Sequence, residues 1–280
     1  MRWTPGGVSR NIEDRRGRRM GGGMKMGVGG TVLLLILSLV FGQDFISGGG
    51  APPTSEIARS QPGDVAGPIE ETPEERERVQ FVSAVLDSAQ KAWATLLPEA
   101  TGVPYRDARL VLFRDAVQSA CGMAPAAAGP FYCPLDERVY IDLSFYDELA
   151  ERFGAPGDFA QAYVLAHEIG HHVQHILGID EEVRRAQQAN PRQANDLSVR
   201  LELQADCLAG VWGNSAQGLL EPGDVEEGLT AAAAIGDDRI QRQQTGMVNT
   251  DKFTHGSSAQ RVEWFRRGLE SGDPNVCDTF

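Results

Sequence analysis

Ala166-His167-Glu168-Ile169-Gly170-His171 decides the reading of this chain: two histidines four residues apart, with a glutamate beside the first. On an α-helix, residues four apart stand on one face, so the imidazoles of His167 and His171 can reach one metal ion from the same side. Glu168 then lies beside the coordination position left open, where a carboxylate can take a proton from water. The surroundings are helical in pattern. Asp158 reads as an N-cap after Pro156-Gly157, and Gly178 as the C′ residue after Leu177. Between them Phe159, Ala162, Tyr163, Ala166, Gly170 and Val173 recur at steps of three and four, the mark of a buried face. Ala162, Ala166 and Gly170 are small, which lets a second element come close.

The same run holds His172 and His175. His171 and His175 are also four apart, but no glutamate follows His171, and His172 points roughly a third of a turn away. Both are read as packing or hydrogen-bonding histidines. A zinc ion that performs chemistry takes three protein ligands. A third histidine ten residues after the first, with glycine at the seventh step, is excluded because Leu177 and Gln174 hold those positions. The other common solution is an acid on a later helix, and Glu202-Leu203-Gln204-Ala205-Asp206 fits, since Glu202 and Asp206 share a helical face. Glu202 is read as the ligand and Asp206 as the acceptor that fixes the second ring N–H of a ligand histidine. The alternatives are Asp206 as the ligand, or two solvated acids alongside Asp196 and Arg200.

The run AYVLAHEIGHHVQHILGI (Ala162–Ile179), followed by RLELQADCLAGVWG (Arg200–Gly213), resembles the bacterial neutral zinc metallopeptidase family. More distantly it is similar to the gluzincins, whose third ligand is the glutamate of a Glu-x-x-x-Asp helix. GPFYCP (Gly129–Pro134), IGDDRIQ (Ile235–Gln241), THGSSAQR (Thr254–Arg261) and the basic start RWTPGGVSRNIEDRRG (Arg2–Gly17) extend the likeness over nearly the whole chain apart from a linker. The resemblance implies a zincin fold and zinc-dependent peptide hydrolysis. It also implies that His255 donates to the oxyanion, and that Asp237 and Asp238 have a structural role, binding Arg239 or a cation.

Peptide hydrolysis builds negative charge on the former carbonyl oxygen, so a donor opposite the metal is required. His255 is the one histidine outside the active helix; its alternative is a surface-loop residue after Lys252-Phe253-Thr254. Arg261 is a candidate to orient His255 or bind substrate, with a helix-surface charge as the alternative. Tyr140 is a further substrate-binding candidate, and Tyr146 and Tyr163 read as structural. Arg138-Val139-Tyr140-Ile141-Asp142-Leu143 alternates in polarity, ends at Ser144 as the N-cap of a helix, and is expected to form the edge strand that holds an extended peptide. Arg109-Leu110-Val111-Leu112-Phe113 is expected beside it. Asp237 and Asp238 read as solvent-facing acids in an Ala-rich helix beginning near Glu221-Pro222.

The first 25 residues carry seven Lys/Arg against two Asp/Glu, whereas the whole chain is −13, so the acid excess lies beyond them. One apolar run, Met26–Phe41, separates the two parts; its helical length of about 24 Å is short but workable against a ~30 Å hydrocarbon core. The expectation is a basic cytoplasmic tail (1–25), one transmembrane helix (26–42), a flexible Gly/Pro/Ser-rich linker (43–71) and a translocated domain (72–280) opened by Thr72-Pro73-Glu74-Glu75 as N-cap, N1 and N3. A cleavable signal peptide ending at Gly42 is the alternative. Four cysteines agree with export, and the expected pairs are Cys121–Cys133, which closes a short loop, and Cys207–Cys277. Free thiols remain the alternative. The acidic domain argues against nucleic acid and anionic lipid surfaces as partners.

Together these readings predict a mainly helical α+β zincin-like domain with a small edge sheet, held at the membrane outside the cytoplasm. One Zn2+ sits on His167, His171 and Glu202, with Glu168 as general base for hydrolysis of peptide or protein substrates. The rival readings are a non-catalytic scaffold of the same fold and a zinc amidase acting on cell-wall material.

Overall fold

Thr72 begins the first long helix as its sequence signal requires: the Thr72 side chain accepts from the Glu75 N–H at 3.2 Å, and Pro73 occupies the first turn. In the computed structural model, which describes residues 1–18 and 69–280, this helix, α1, runs Pro73–Thr101. Val79, Val82, Leu86, Ala89, Trp93 and Leu97 recur every three or four residues along it and are all buried. Gly102 closes it in the left-handed conformation at φ 74°.

Six short strands follow the chain as β1 (Ile12–Asp14), β2 (Arg109–Phe113), β3 (Ala116–Ser119), β4 (Gly122–Pro125), β5 (Phe131–Cys133) and β6 (Arg138–Asp142). Four form one sheet in the order β1-β2-β6-β5, with β5 antiparallel to β6 and the other pairs parallel. β3 and β4 make a separate hairpin. The period of two sorts β2 and β6 cleanly. Leu110, Leu112, Val139 and Ile141 face the main core, whereas Val111, Phe113 and Tyr140 face a smaller cluster with Phe131 and Cys133.

Seven more helices are described: α2 (Phe145–Glu151), α3 (Asp158–Ile176), α4 (Ile179–Ala189), α5 (Ala194–Ser215), α6 (Asp224–Ala234), α7 (Asp237–Thr245) and α8 (Ser258–Ser271). α3 is the central element. Fourteen of its 19 residues are buried, against α1, α5, α6 and the sheet. α5 and α8 pack with their backbones in contact: a Cβ on Gly210 would overlap the Phe265 carbonyl, and one on Gly268 would overlap the Cys207 carbonyl. Because each neighbour is main chain, a side-chain adjustment cannot relieve the clash. Gly268→Ala is therefore expected to cost about 1–3 kcal/mol, read as a lower melting temperature against the parent chain.

Several expectations change here. Met1–Arg18 do not stand apart as a tail: β1 extends the sheet in parallel with β2, and the Met1 ammonium meets Asp158 at 2.6 Å. The proposed transmembrane helix at 26–42 and nearly all of the linker lie outside the described residues; among the described residues no helix is long and apolar enough to cross a membrane. β6 is an interior strand, so the free edge beside it belongs to β5. Gly157, not Asp158, caps α3, and Ser144 caps α2 without a side-chain bond, its hydroxyl turned to Asp142. The Ala-rich helix breaks at Ile235-Gly236, which starts α7 afresh at Asp237. Disulfides join Cys121 to Cys133 and Cys207 to Cys277, with Cα separations of 5.8 and 5.5 Å.

Candidate metal centre

α3 presents His167, Glu168 and His171, and α5 crosses it closely enough to add Glu202. The crossing is set at Gly170, where a Cβ would stand 2.9 Å from the Ala205 carbonyl oxygen. Glu202 Oε2 then lies 3.2 Å from His167 Nε2, and Oε1 lies 3.5 Å from His171 Nε2. The three ligand atoms fall within 4.8 Å of one another. Donors about 2.0–2.1 Å from a tetrahedral zinc stand roughly 3.3 Å apart, close to both separations.

The other ring nitrogens are already committed, which leaves both Nε2 lone pairs for an ion. His167 Nδ1 is 2.9 Å from Asp206 Oδ1, and His171 Nδ1 is 2.8 Å from Gln174 Oε1. Gln174 is itself fixed, donating to the Leu201 carbonyl at 2.7 Å and to Gln204 at 3.0 Å. These partners set tautomer and ring orientation in both histidines. The donor set, two neutral imidazoles and one carboxylate, suits zinc.

Asp206 is wholly buried and its carboxylate is shared. Arg261 grips it twice, Nε to Oδ2 at 2.9 Å and Nη2 to Oδ1 at 2.8 Å, while the Tyr163 hydroxyl donates to Oδ1. Burial opposes its charge, but Arg261 and His167 outweigh that and hold the carboxyl below its usual range. Burial likewise opposes a charge on His167, yet Asp206 and Glu202 raise its pKa to about 10, so positive charge is favoured at this point, and a metal ion at Nε2 would take the place of that proton.

Glu168 is 7% exposed and faces the same cleft. Burial pushes its carboxyl up, against the pull of the neighbouring imidazoles. His255, on the loop between α7 and α8, also lines the cleft. Its Nδ1 is 3.1 Å from Asp237 Oδ1, and Asp237 Oδ2 accepts the backbone N–H groups of Thr254, His255 and Gly256 at 2.6, 2.7 and 3.1 Å. Burial lowers the His255 pKa, but the bond to Asp237 and the charge of Glu202 overcome it and raise it above the ordinary value. Asp238 ties down the far end of the loop, accepting from the Ser258 amide and hydroxyl at 2.7 and 2.8 Å. Neither acid is a solvent-facing charge in mid-helix; both hold the His255 loop. A paired acid just after a glycine that breaks an Ala-rich run was the available signal.

The cleft has a volume of about 210 Å³, with Phe131, Phe145, Phe153, Val164 and Ile235 among its walls. The remaining candidates fall elsewhere or act differently. Tyr140 is fully buried behind the sheet, stacked on Phe131, its hydroxyl donating to Asp136 at 2.7 Å, so it does not face substrate. Arg261 reaches the cleft floor, but its side chain is 1% exposed and its guanidinium is spent on Asp206. Through Asp206 it orients the His167 ring. Tyr163 belongs to the same network, and Tyr146 is buried. His172 bridges the Tyr132 hydroxyl and the Arg106 carbonyl, and His175 pairs with Asp180 at 2.8 Å.

A family model described as "Putative neutral zinc metallopeptidase" matches residues 1–280. Uncharacterized protein YpfJ of Escherichia coli (strain K12) is 47% identical over 289 residues, covering 100% of this chain and 99% of that protein. Uncharacterized protein Rv2575 of Mycobacterium tuberculosis (strain H37Rv) is 46% identical over 212 residues, 71% of this chain and 69% of its own length. No solved structure matches.

Proposed function

Because the chain belongs to the neutral zinc metallopeptidase family, we propose that it hydrolyses peptide bonds with one Zn2+ held by His167, His171 and Glu202. The convergence of those three ligand atoms, with the Glu168 carboxylate beside them in an apolar cleft, carries this reading. When bound, zinc supplies Lewis acidity that makes a water acidic and polarises the scissile carbonyl. Glu168 takes the proton from the attacking water and returns it to the leaving amine. His255, held at Nδ1 by Asp237, would donate from Nε2 in its imidazolium form to the developing oxyanion. β5, an edge strand of the sheet and part of the cleft wall, offers backbone groups to an extended peptide.

Two disulfides support an oxidising compartment for the domain. Attachment to a membrane surface through the apolar run at 26–42 is part of the proposal.

The test incubates the purified full chain with a proteome-derived peptide library, with and without chelator, while zinc content is measured. Cleavage lost on chelation and restored by zinc is the expected result; zinc binding without cleavage of any peptide would favour a scaffold. Asp237→Asn is expected to lower kcat by about 10–100-fold with zinc content unchanged. Since Asp237 acts through His255, its effect should vanish in a His255→Ala background, and the pH profile of kcat should shift in the single variant.

A further inference from the structure

The charge asymmetry around the apolar run predicts one membrane crossing with the first residues in the cytoplasm, yet those residues are built into the metal-binding fold. β1 pairs with β2 in the register Ile12↔Leu110, Glu13↔Val111 and Asp14↔Leu112. Trp3 packs edge-on against Phe81 of α1 with ring centroids 5.6 Å apart. Ser9 donates to Asp87 at 2.6 Å, Asn11 to Asp107 at 3.0 Å, and Arg138 of β6 to Glu13 at 3.0 Å. The Arg16 side chain is 2% exposed and pairs with Asp14, Glu71 and Glu75 at 2.6, 3.0 and 3.0 Å. Two of those acids lie beyond the apolar run in sequence. These contacts form a strap across α1, β2 and β6, drawn from the segment that composition assigns to a cytoplasmic tail.

A single crossing separates the strap from its sheet, and a double crossing lacks the residues. One span needs about 20 apolar residues; Met26–Phe41 supplies sixteen, and Gly42–Pro68 contains no second apolar run. We infer that the segments before and after the apolar run lie on the same side of any membrane. The strap and the metal centre share one compartment.

Vectorial labelling of the full chain tests this. The four native cysteines are all in disulfides, so a single introduced thiol reports alone. Val8→Cys lies in the strap and Leu135→Cys in the metal-binding domain, at positions 61% and 68% exposed. Each is treated with a membrane-impermeant maleimide in intact spheroplasts and again after detergent lysis. Matching behaviour is expected, both thiols reacting before lysis or both only after it. Reaction of Leu135→Cys before lysis with Val8→Cys protected until lysis overturns the inference. Arg16→Gln gives a second readout: with the strap in the sheet, removing this buried charge lowers the melting temperature by roughly 5 °C. An unchanged melting temperature means that the strap is not docked, and the inference fails.

Discussion

Replacing Glu168 with Gln lowers kcat on a cleaved peptide by about 10³-fold, within the 10²–10⁴ range of a general base, and leaves KM and zinc content near those of the parent. The amide keeps the shape of the carboxylate but cannot accept a proton from the attacking water. Glu168 is not among the three converging ligands, so the grip on the ion is untouched. The fold is expected to tolerate the change, because burial already disfavours the Glu168 charge and a neutral amide relieves that cost. The paired measurement is single-turnover cleavage with metal analysis on the same sample. Equal rates for parent and variant would falsify the assignment of the base; loss of zinc with loss of activity would move Glu168 into the ligand set.

Arg261→Met is the second large effect, and it acts from beneath the centre. Its guanidinium and the Asp206 carboxylate are 1% and 0% exposed, so neither can turn to solvent when the other is removed. Breaking such a pair costs about 3–5 kcal/mol, since one charge is left buried without its partner. For a domain of this size that is a fall in melting temperature of roughly 10 °C. Asp206 also orients His167, so zinc affinity should drop about 10–100-fold in whatever fraction remains folded. Arg261→Lys separates the two effects: it keeps the charge but loses the two-pronged geometry, and zinc affinity should suffer more than stability. Unchanged melting and zinc affinity in Arg261→Met would show that the pair is incidental.

What could be read in advance follows the range of the forces involved. His167, Glu168 and His171 are placed by helical spacing alone, and Glu202 with Asp206 by the same rule on a second helix. The Thr72 cap and the left-handed Gly178 are equally local. Strand order is not local. The alternation in Arg138–Asp142 marks a strand but carries no information about which neighbours flank it, so the interior position of β6 and the edge position of β5 emerge only in three dimensions. Arg261 looks like any arginine on an amphipathic helix until a carboxylate 55 positions earlier is seen to neutralise it. The first 18 residues mislead for a related reason. Composition counts Arg15 and Arg16 as free charge, whereas in the fold Arg16 is buried beside three acids, two of them more than 50 residues away.

The main-chain contact between α5 and α8 at Gly210 and Gly268 governs how the cleft can respond to a guest. Those two helices carry Glu202, Asp206 and Arg261, and with main chain against main chain at both glycines they lack, at that crossing, any cushion that would let one slide over the other. The floor of the cleft is thus a fixed anvil. Shape adaptation is left to the part of the lining contributed by α7, where Gln241–Thr250 of that helix and the following turn are largely exposed. Any adjustment of the cleft's shape is therefore expected in that segment, while Glu202, Asp206 and Arg261 keep the same mutual spacing.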